Sequence, residues 1–379
     1  MNYTNDNGYA LTYDDIQLVP KFSEIKSRKG INLNTKLSRR YGLLRPIVAS
    51  PMDTVCEFDM AYKMAELGGV GCIHRFMSIK EQRDIVERLY SGIYGEGFGG
   101  SLAENWGVMF DDWHAEMKLV PIMAAIGVQE EDKERARALE AAGANVLLID
   151  VAHGDHQNVL DMIHWCKENL PEHVDIIAGN IATAEAAERL EAAGADGLRV
   201  GIGGGSLCTT RVKTGFGVPN VTSLREVDVV ATTPVMADGG IRTSGDIAKA
   251  LAVGADCVML GSLLAGTDEA PGQIVETPNG LYKRYRGSAS LETKVTHGQE
   301  ARNVEGESTT IPYKGGVKFI VNGLLDGVKS ALSYAGAENL REYMPQYVVV
   351  TNSGISEAKP QSPGCPTVVL RPPRCRPRN

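Results

Sequence analysis

Eight short apolar runs, each ending in glycine or a polar residue, recur along the chain, and helical stretches separate most of them. The runs are PIVASPM (46–52), GGVGCIH (68–74), IMAAIGV (122–128), NVLLIDV (145–151), DIIAGN (175–180), GLRVGI (197–202), PVMADGG (234–240) and DCVMLGS (256–262). They are rich in Val and Ile and lack clean alternation, the pattern of parallel strands buried on both faces. The stretches between them, such as EEDKERARALEAAGA, TAEAAERLEAAGA and SGDIAKALAVGA, carry apolar residues at i, i+3 and i+4 and stop at a glycine flanked by small residues. The same helix–turn–strand junction returns at 141–150, 192–200 and 252–260. Eight such units predict a (β/α)8 TIM barrel, with an open doubly wound sheet as the alternative built from the same elements.

Two segments break the rhythm. Residues 91–120 form a short insertion after the second run, and the charged, Gly-containing residues 267–316 after the eighth read as a mobile flap. Residues 1–358 are then one barrel domain, and the Pro-rich residues 359–379 a disordered tail.

Composition narrows the functional classes. Hydrophobic residues make up 43% and charged residues 23%, enough apolar content for a large core. The net charge is −8 with no basic arm or Lys/Arg stripe, which argues against a nucleic-acid partner. The N-terminus has no basic-then-apolar leader and no apolar run is long enough to span a bilayer, so no membrane association and a cytoplasmic location are expected. Seven cysteines at 56, 72, 166, 208, 257, 365 and 375, an odd number, widely spaced and without a C-x-x-C, argue against a disulfide framework or a zinc site. Cys72 and Cys257 sit inside apolar runs and read as core.

Barrel chemistry sits at the C-terminal ends of the strands. The polar and glycine-rich ends are Ser50-Pro51-Met52-Asp53, His74-Arg75, Asp150, Gly179-Asn180, 201–211, Asp238-Gly239-Gly240 and Gly261-Ser262. In VGIGGGSLCTTR (200–211) the glycines permit close backbone approach to a ligand, and N–H groups in such a loop can meet an anion. Cys208 stands there among Ser206, Thr209 and Thr210, followed by Arg211, whose charge would favour a nucleophilic thiolate. A plain glycine turn with an inert cysteine is the alternative reading of the same residues. The ends of the seventh and eighth runs suit a phosphate site through Gly240, Gly261 and Ser262, with Asp238 placed to accept from ribose hydroxyls.

The motifs LTYDDIQLVP, SPMDTV, GGVGCIHRFMS, IDVAHG, AGNIATAEAA, VGIGGGSLCTTR, MADGGI, MLGSLLAGTDEAPG, YRG and IPYKG occur in that order between about residues 9 and 358. In this the chain resembles the inosine monophosphate dehydrogenase and guanosine monophosphate reductase family. The resemblance implies that Cys208 bonds to C2 of a purine monophosphate, and that Thr210 and Glu305 handle protons. It implies that Ser206, Gly240, Gly261, Ser262 and Tyr285 hold the phosphate, Asp238 the ribose, and Ser50 and Met52 the purine. Asp150 would contact the ribose of a nicotinamide cofactor, NADPH or NAD(H). A monovalent cation such as K+ would be held by carbonyls of Gly201, Gly203 and Cys208. A homotetramer is implied as well. The nucleotide-sensing domain pair that many members carry between strands two and three is missing, since 91–120 is too short for it.

The resemblance leaves the direction of reaction to be argued. The dehydrogenase oxidises IMP with NAD and then hydrolyses the cysteine adduct, using an Arg-Tyr pair in the flap to activate water. The reductase displaces ammonia from GMP and reduces the same adduct. Between Ser288 and Val304 there is no Arg-Tyr pair; Arg302 lies three residues before Glu305, the reductases' R-x-x-E-G arrangement. In the other direction, AHG after Asp150, GSLLAGTDEAPG, Leu291 and Arg75 look dehydrogenase-like. Because a missing catalytic group limits chemistry more than a shared scaffold does, GMP reductase is the expected activity and IMP dehydrogenase the alternative. Gly204 in place of the usual Pro, and Ser288 in place of a base-contacting Met, leave a non-catalytic purine nucleotide-binding protein as a third reading, which the intact Cys208, Thr210 and Glu305 oppose.

Overall fold

The computed structural model describes residues 9–95, 106, 120–287 and 307–350. Each of the eight runs contains a strand: β1 (Ile47–Ala49), β2 (Val70–Ile73), β3 (Met123–Ile126), β4 (Val146–Asp150), β5 (Asp175–Ile181), β6 (Gly197–Val200), β7 (Val235–Asp238) and β8 (Cys257–Leu260). All are parallel to their neighbours, and pairing of Val258 with Ile47 and Leu260 with Ala49 closes β8 on β1. The chain is therefore a TIM barrel, and the open sheet is excluded by that closing pair. Strands enclosed by helices outside and by one another inside can be apolar at every position, which is why the runs show no alternation. Cys72 and Cys257 are 0% exposed, as core residues should be.

The helices that follow the strands are α1 (Phe58–Glu66), α2 (Ile79–Tyr94), α3 (Glu130–Ala141), α4 (Gln157–Asn169), α5 (Ala184–Ala192), α6 (Asn220–Val230), α7 (Ser244–Ala252) and α8 (Val317–Ala335). Their ends explain the recurrent junction. At Gly143, Gly194 and Gly254 φ is +103°, +105° and +113°. The next residue's N–H returns to the helix each time: Ala144 to Leu139 O, Ala195 to Leu190 O and Ala255 to Ala250 O. This is the left-handed glycine stop that satisfies the last carbonyls and turns the chain toward the next strand. Starts are set as firmly: Ser78 and Glu81 cap α2 reciprocally, and Thr243 and Asp246 do so for α7.

Two features were not legible as elements. Within 267–316, strands Val275–Thr277, Gly280–Arg286 and Ser308–Pro312 form an antiparallel sheet, so this region is not loop throughout. The Pro278-Asn279-Gly280 turn joins the first two, and residues 288–306 of the flap lie outside the described residues. In the 91–120 insertion, α2 runs on to Tyr94, and Trp106 is buried with its Nε1 donating to Ala65 O at 3.1 Å; residues 96–105 and 107–119, like the tail 359–379, lie outside the described residues.

The N-terminal end of the barrel is covered by a two-stranded ribbon, Thr35–Lys36 with Gly42–Leu43. Asp175, at the start of β5, is 0% exposed and accepts from Ser38 Oγ at 2.7 Å and from Arg40 Nη1 at 2.6 Å. Asp256, just before β8, accepts from Val235 N at 2.8 Å. Burial pushes the Asp256 carboxyl up to about 6; the Val235 N–H and Lys36 oppose the rise and Asp228 adds to it. A folded-state value above the unfolded one means that the stabilising contribution is present at acid pH and is lost as pH rises through 6. For a shift of this size the cost at neutral pH is on the order of 2–3 kcal/mol. Asp256→Asn has no such dependence. The melting temperature of the variant minus that of the unmodified protein is therefore expected to grow by a few degrees between pH 5 and pH 8, read by calorimetry. A difference constant across that range would contradict the burial argument.

Candidate active site

At the opposite end, the loops after β6, β7 and β8 meet. Gly201 has φ +141°, and a Cβ there would lie 2.0 Å from Asp238 O; a Cβ on Gly239, at φ +87°, would lie 2.9 Å from Gly204 C and Gly205 N. The β6 and β7 loops thus touch backbone to backbone, with no room for a side chain between them. Asn220, at the start of α6, fastens this junction by donating Nδ2 to Asp238 O at 3.1 Å and to Gly239 O at 2.6 Å. A Cβ at Gly204 would come within 3.0 Å of the same amide.

Cys208 sits in the β6 loop, half-buried, with Sγ 3.1 Å from Thr210 Oγ1 and its N–H donating to Gly205 O. Thr210 opens a short helix, Thr210–Thr214. Thr209 Oγ1 beside it is buried without a hydrogen-bond partner among the described residues. The stem of Arg211 packs over Gly203 and Gly217.

Six of the residues expected around a nucleotide converge. Ser206 Oγ and Tyr285 OH are 3.1 Å apart, and Tyr285 also hydrogen-bonds the Ser262 side chain. A Cβ on Gly261 would lie 3.2 Å from Met52 Sδ, 3.3 Å from Tyr285 OH and 3.9 Å from Ser50 Cβ. Burial raises the Tyr285 phenol, bonds to Ser206 and Ser262 lower it, and Asp238 raises it further, so it stays protonated and able to donate. Gly240, with φ +74°, lies apart from these six, and a Cβ there would meet Asn220 Nδ2 at 3.4 Å and the Tyr13 ring at 3.5 Å.

Asp238 and Asp150 are joined by a residue that the motifs did not single out. Arg199 of β6 donates Nη1 to Asp150 Oδ1 at 2.5 Å and Nε to Asp238 Oδ2 at 3.1 Å, with Nη2 2.9 Å from the same oxygen. Burial alone would lower the guanidinium; Asp238 and Asp150 outweigh it and raise it above its ordinary value. Asn180 of β5 adds Nδ2 bonds to Asp238 Oδ2 at 2.8 Å and to Gly201 O at 2.7 Å. A register shift between Gly179 and Ile181 on β5 marks where Asn180 turns into this group, as bulges at barrel rims do. Arg75 after β2 reaches the far side of Asp150, Nη2 donating to its carbonyl at 3.3 Å, and its Nε is buried without a hydrogen-bond partner among the described residues. The signal for Arg199 was available: it is the one charged residue inside the apolar run GLRVGI. Asn180 and Asn220 carried none beyond their place at a strand end and a helix start.

Glu305 lies outside the described residues. The residues bracketing its segment do not: Gly287 N donates to Glu307 O at 2.9 Å, and Glu307 N donates to Leu207 O at 3.1 Å. Gly287 and Glu307 therefore stand beside the loop that bears Cys208.

The strand-end loops of this α/β barrel gather a half-buried cysteine, a hydroxyl cluster and two carboxylates that share one arginine, the equipment of a barrel enzyme. The comparisons name it: the IMP dehydrogenase / GMP reductase domain matches residues 10–361, and this chain belongs to that family of oxidoreductases. It is 34% identical to the GMP reductase of Leishmania major over 472 residues, covering 92% of this chain and 96% of that protein. It is 38% identical to the inosine-5′-monophosphate dehydrogenase of Cryptosporidium parvum over 387 residues, covering 94% and 96%. Among solved structures, a cysteine-to-alanine variant of GMP reductase from Trypanosoma brucei in complex with guanosine 5′-monophosphate superposes with a TM-score of 0.83 at 32% identity, covering 94% of this chain and 98% of that one. Among the described residues, no helix is long and apolar enough to cross a membrane.

Burial separates Cys208 from the other described cysteines, since it pushes up the thiols of Cys56, Cys72, Cys166 and Cys257. Reactivity follows exposure and thiolate character. Limited treatment of the native protein with iodoacetamide is expected to label Cys208 and spare those four, read by peptide mass mapping. Labelling of Cys72 or Cys257 as fast as Cys208 would contradict the packing described.

Proposed function

We propose that this protein is a GMP reductase, converting GMP to IMP and ammonia at the expense of a reduced nicotinamide nucleotide. The observation that carries this reading is the composition of the segment between Gly287 and Glu307, two residues that stand beside the Cys208 loop. Between Gly287 and Glu307 it holds no Arg-Tyr pair to activate water, and it does hold Glu305. Chemistry that must hydrolyse an adduct lacks its base here; chemistry that must protonate a leaving amine has its acid.

In this reading the 5′-phosphate is held by Ser206, Gly240, Gly261, Ser262 and Tyr285, the ribose by Asp238, and the base against Ser50 and Met52. The Cys208 sulfur adds to C2 of GMP. The C2–N bond to the exocyclic amine breaks, and Glu305, through Thr210, supplies the proton with which ammonia leaves. Reduced NADPH or NADH supplies a hydride to C2 when bound. The C2–S bond then breaks, its electron pair returns to Cys208, and IMP is released. The balance is GMP, reduced cofactor and two protons in; IMP, ammonium and oxidised cofactor out. Asp150 suits the nicotinamide ribose, and Arg75, whose Nε is 4.0 Å from Asp150 Oδ2 and has no hydrogen-bond partner among the described residues, suits a polar group of the same cofactor.

The same reading includes a homotetramer in the cytoplasm, a single barrel domain over 1–358 without a nucleotide-sensing pair, and a monovalent cation at the carbonyls of Gly201, Gly203 and Cys208. Gly201 O already accepts from Asn180, which leaves it one lone pair for an ion. IMP dehydrogenase is the second reading, favoured by the 38% identity to the Cryptosporidium enzyme and by the AHG that follows Asp150.

Two variants test the roles. Cys208→Ala is expected to abolish turnover while GMP affinity stays within about tenfold, because phosphate and ribose contacts come from other residues. Retained turnover would remove Cys208 from the mechanism. Glu305→Gln should slow ammonia release from GMP by about 10²–10⁴-fold with much less effect on GMP binding, as loss of a general acid does. An unchanged rate would leave the reductase reading without its proton donor.

A further inference from the structure

Arg199 presents a physical problem. A guanidinium whose side chain is 8% exposed, inside an otherwise apolar barrel strand, is costly unless every donor is used. The protein provides for it on three strands. Gly179 of β5 leaves the space, since a Cβ there would lie 2.6 Å from Arg199 Cβ. Asp150 of β4 and Asp238 of β7 supply the countercharge on its two sides.

The bonds consume one oxygen of each carboxylate. Arg199 takes Oδ1 of Asp150 and Oδ2 of Asp238, and Asn180 shares the latter. Oδ2 of Asp150 and Oδ1 of Asp238 stand outside these bonds, on side chains that are 13% and 20% exposed at the mouth. Each carboxylate therefore keeps an acceptor for a sugar hydroxyl while its orientation is set from behind by the same planar fork.

We propose that Arg199 is a positioning residue that registers the purine-side ribose against the cofactor-side ribose, by holding Asp238 and Asp150 in one rigid charge-assisted bridge. The inference rests on the assignment of these two carboxylates to the two riboses. Its consequence is geometric. Hydride transfer needs the nicotinamide ring stacked at a set distance from purine C2, and both rings are carried on sugars whose anchors share one guanidinium.

The two anchors do not depend on Arg199 equally. Asp238 has a second tether in Asn180, at 2.8 Å, whereas among the described residues the second cation at Asp150 is Arg75, whose Nε is 4.0 Å from Oδ2. Loss of the bridge should therefore be felt on the cofactor side first.

The experiment is steady-state kinetics with GMP and whichever of NADH and NADPH supports turnover, together with GMP binding by calorimetry. Arg199→Gln is expected to raise the cofactor KM by about tenfold or more while the GMP Kd moves less than about threefold, and Arg199→Lys, which keeps a cation between the carboxylates but not the fork, should recover part of the loss. In an Asp150→Asn background Arg199→Gln should add less than about twofold, because its effect runs through Asp150. A purely structural role predicts instead that GMP and cofactor parameters worsen together and that Lys does no better than Gln; that result would overturn the proposal. So would an undiminished effect of Arg199→Gln on top of Asp150→Asn. If Asp150→Asn alone leaves the cofactor KM unchanged, the assignment of Asp150 has failed and the proposal falls with it. If Asp150→Asn raises the KM but Arg199→Gln does not, only the proposal about Arg199 has failed. Should Arg199→Gln show no cooperative melting transition, the double variant, which removes both charges of the Asp150 bond, is compared with Asp150→Asn by the same measurements.

Discussion

The site depends on the backbone contact between the β6 and β7 loops. Where Gly201 faces Asp238 O and Gly239 faces Gly204 and Gly205, two main chains approach more closely than any side chain would permit. That approach brings the loop bearing Ser206 and Cys208 against the loop that begins at Asp238, and Ser206 in turn meets Tyr285. It also explains why buried polar side chains gather behind it. Asn220 and Asn180 each donate to carbonyls at this junction, so that closely packed backbone acceptors have partners.

The two ends of the barrel handle buried charge differently. At the N-terminal end Asp175 and Asp256 are desolvated, their carboxyls are pushed up, and their partners are covering residues and backbone N–H groups of the scaffold. At the C-terminal end Asp150 and Asp238 share a cation and keep part of their surface at the mouth. The first arrangement spends carboxylates on closing the barrel. The second keeps acceptor oxygens available to a ligand, as expected for the end where barrel enzymes place their chemistry.

Much of the fold was legible because it is local. Strand runs, helical periodicity and the glycine stops at 143, 194 and 254 are set within a few residues, and the closed barrel follows from their number. The glycine loop with Cys208 and the ends of β7 and β8 were legible for the same reason. What escaped depends on distant partners. Arg199 looks like an intruder in an apolar strand until Asp150 and Asp238, 49 and 39 residues away, stand on its two sides. Asn220 reads as an ordinary helix start until the β7 turn lies against it. The sheet of 275–312 hid behind turn-rich, charged residues, because exposed strands such as Val275–Thr277 lack the apolar face that marks a buried one.

The proposed reductase activity rests on what residues 288–306 contain: Glu305 is present and an Arg-Tyr pair is absent. The most direct test follows absorbance at 340 nm in two reactions, GMP with NADPH or NADH, and IMP with NAD. A reductase gives sustained oxidation of reduced cofactor with equal amounts of IMP and ammonia in the first, and at most one equivalent of reduced cofactor per site in the second. Sustained multiple turnover of IMP to XMP would contradict the reductase assignment, and would point to His297, the sole imidazole between Ser288 and Val304, as the first residue to replace.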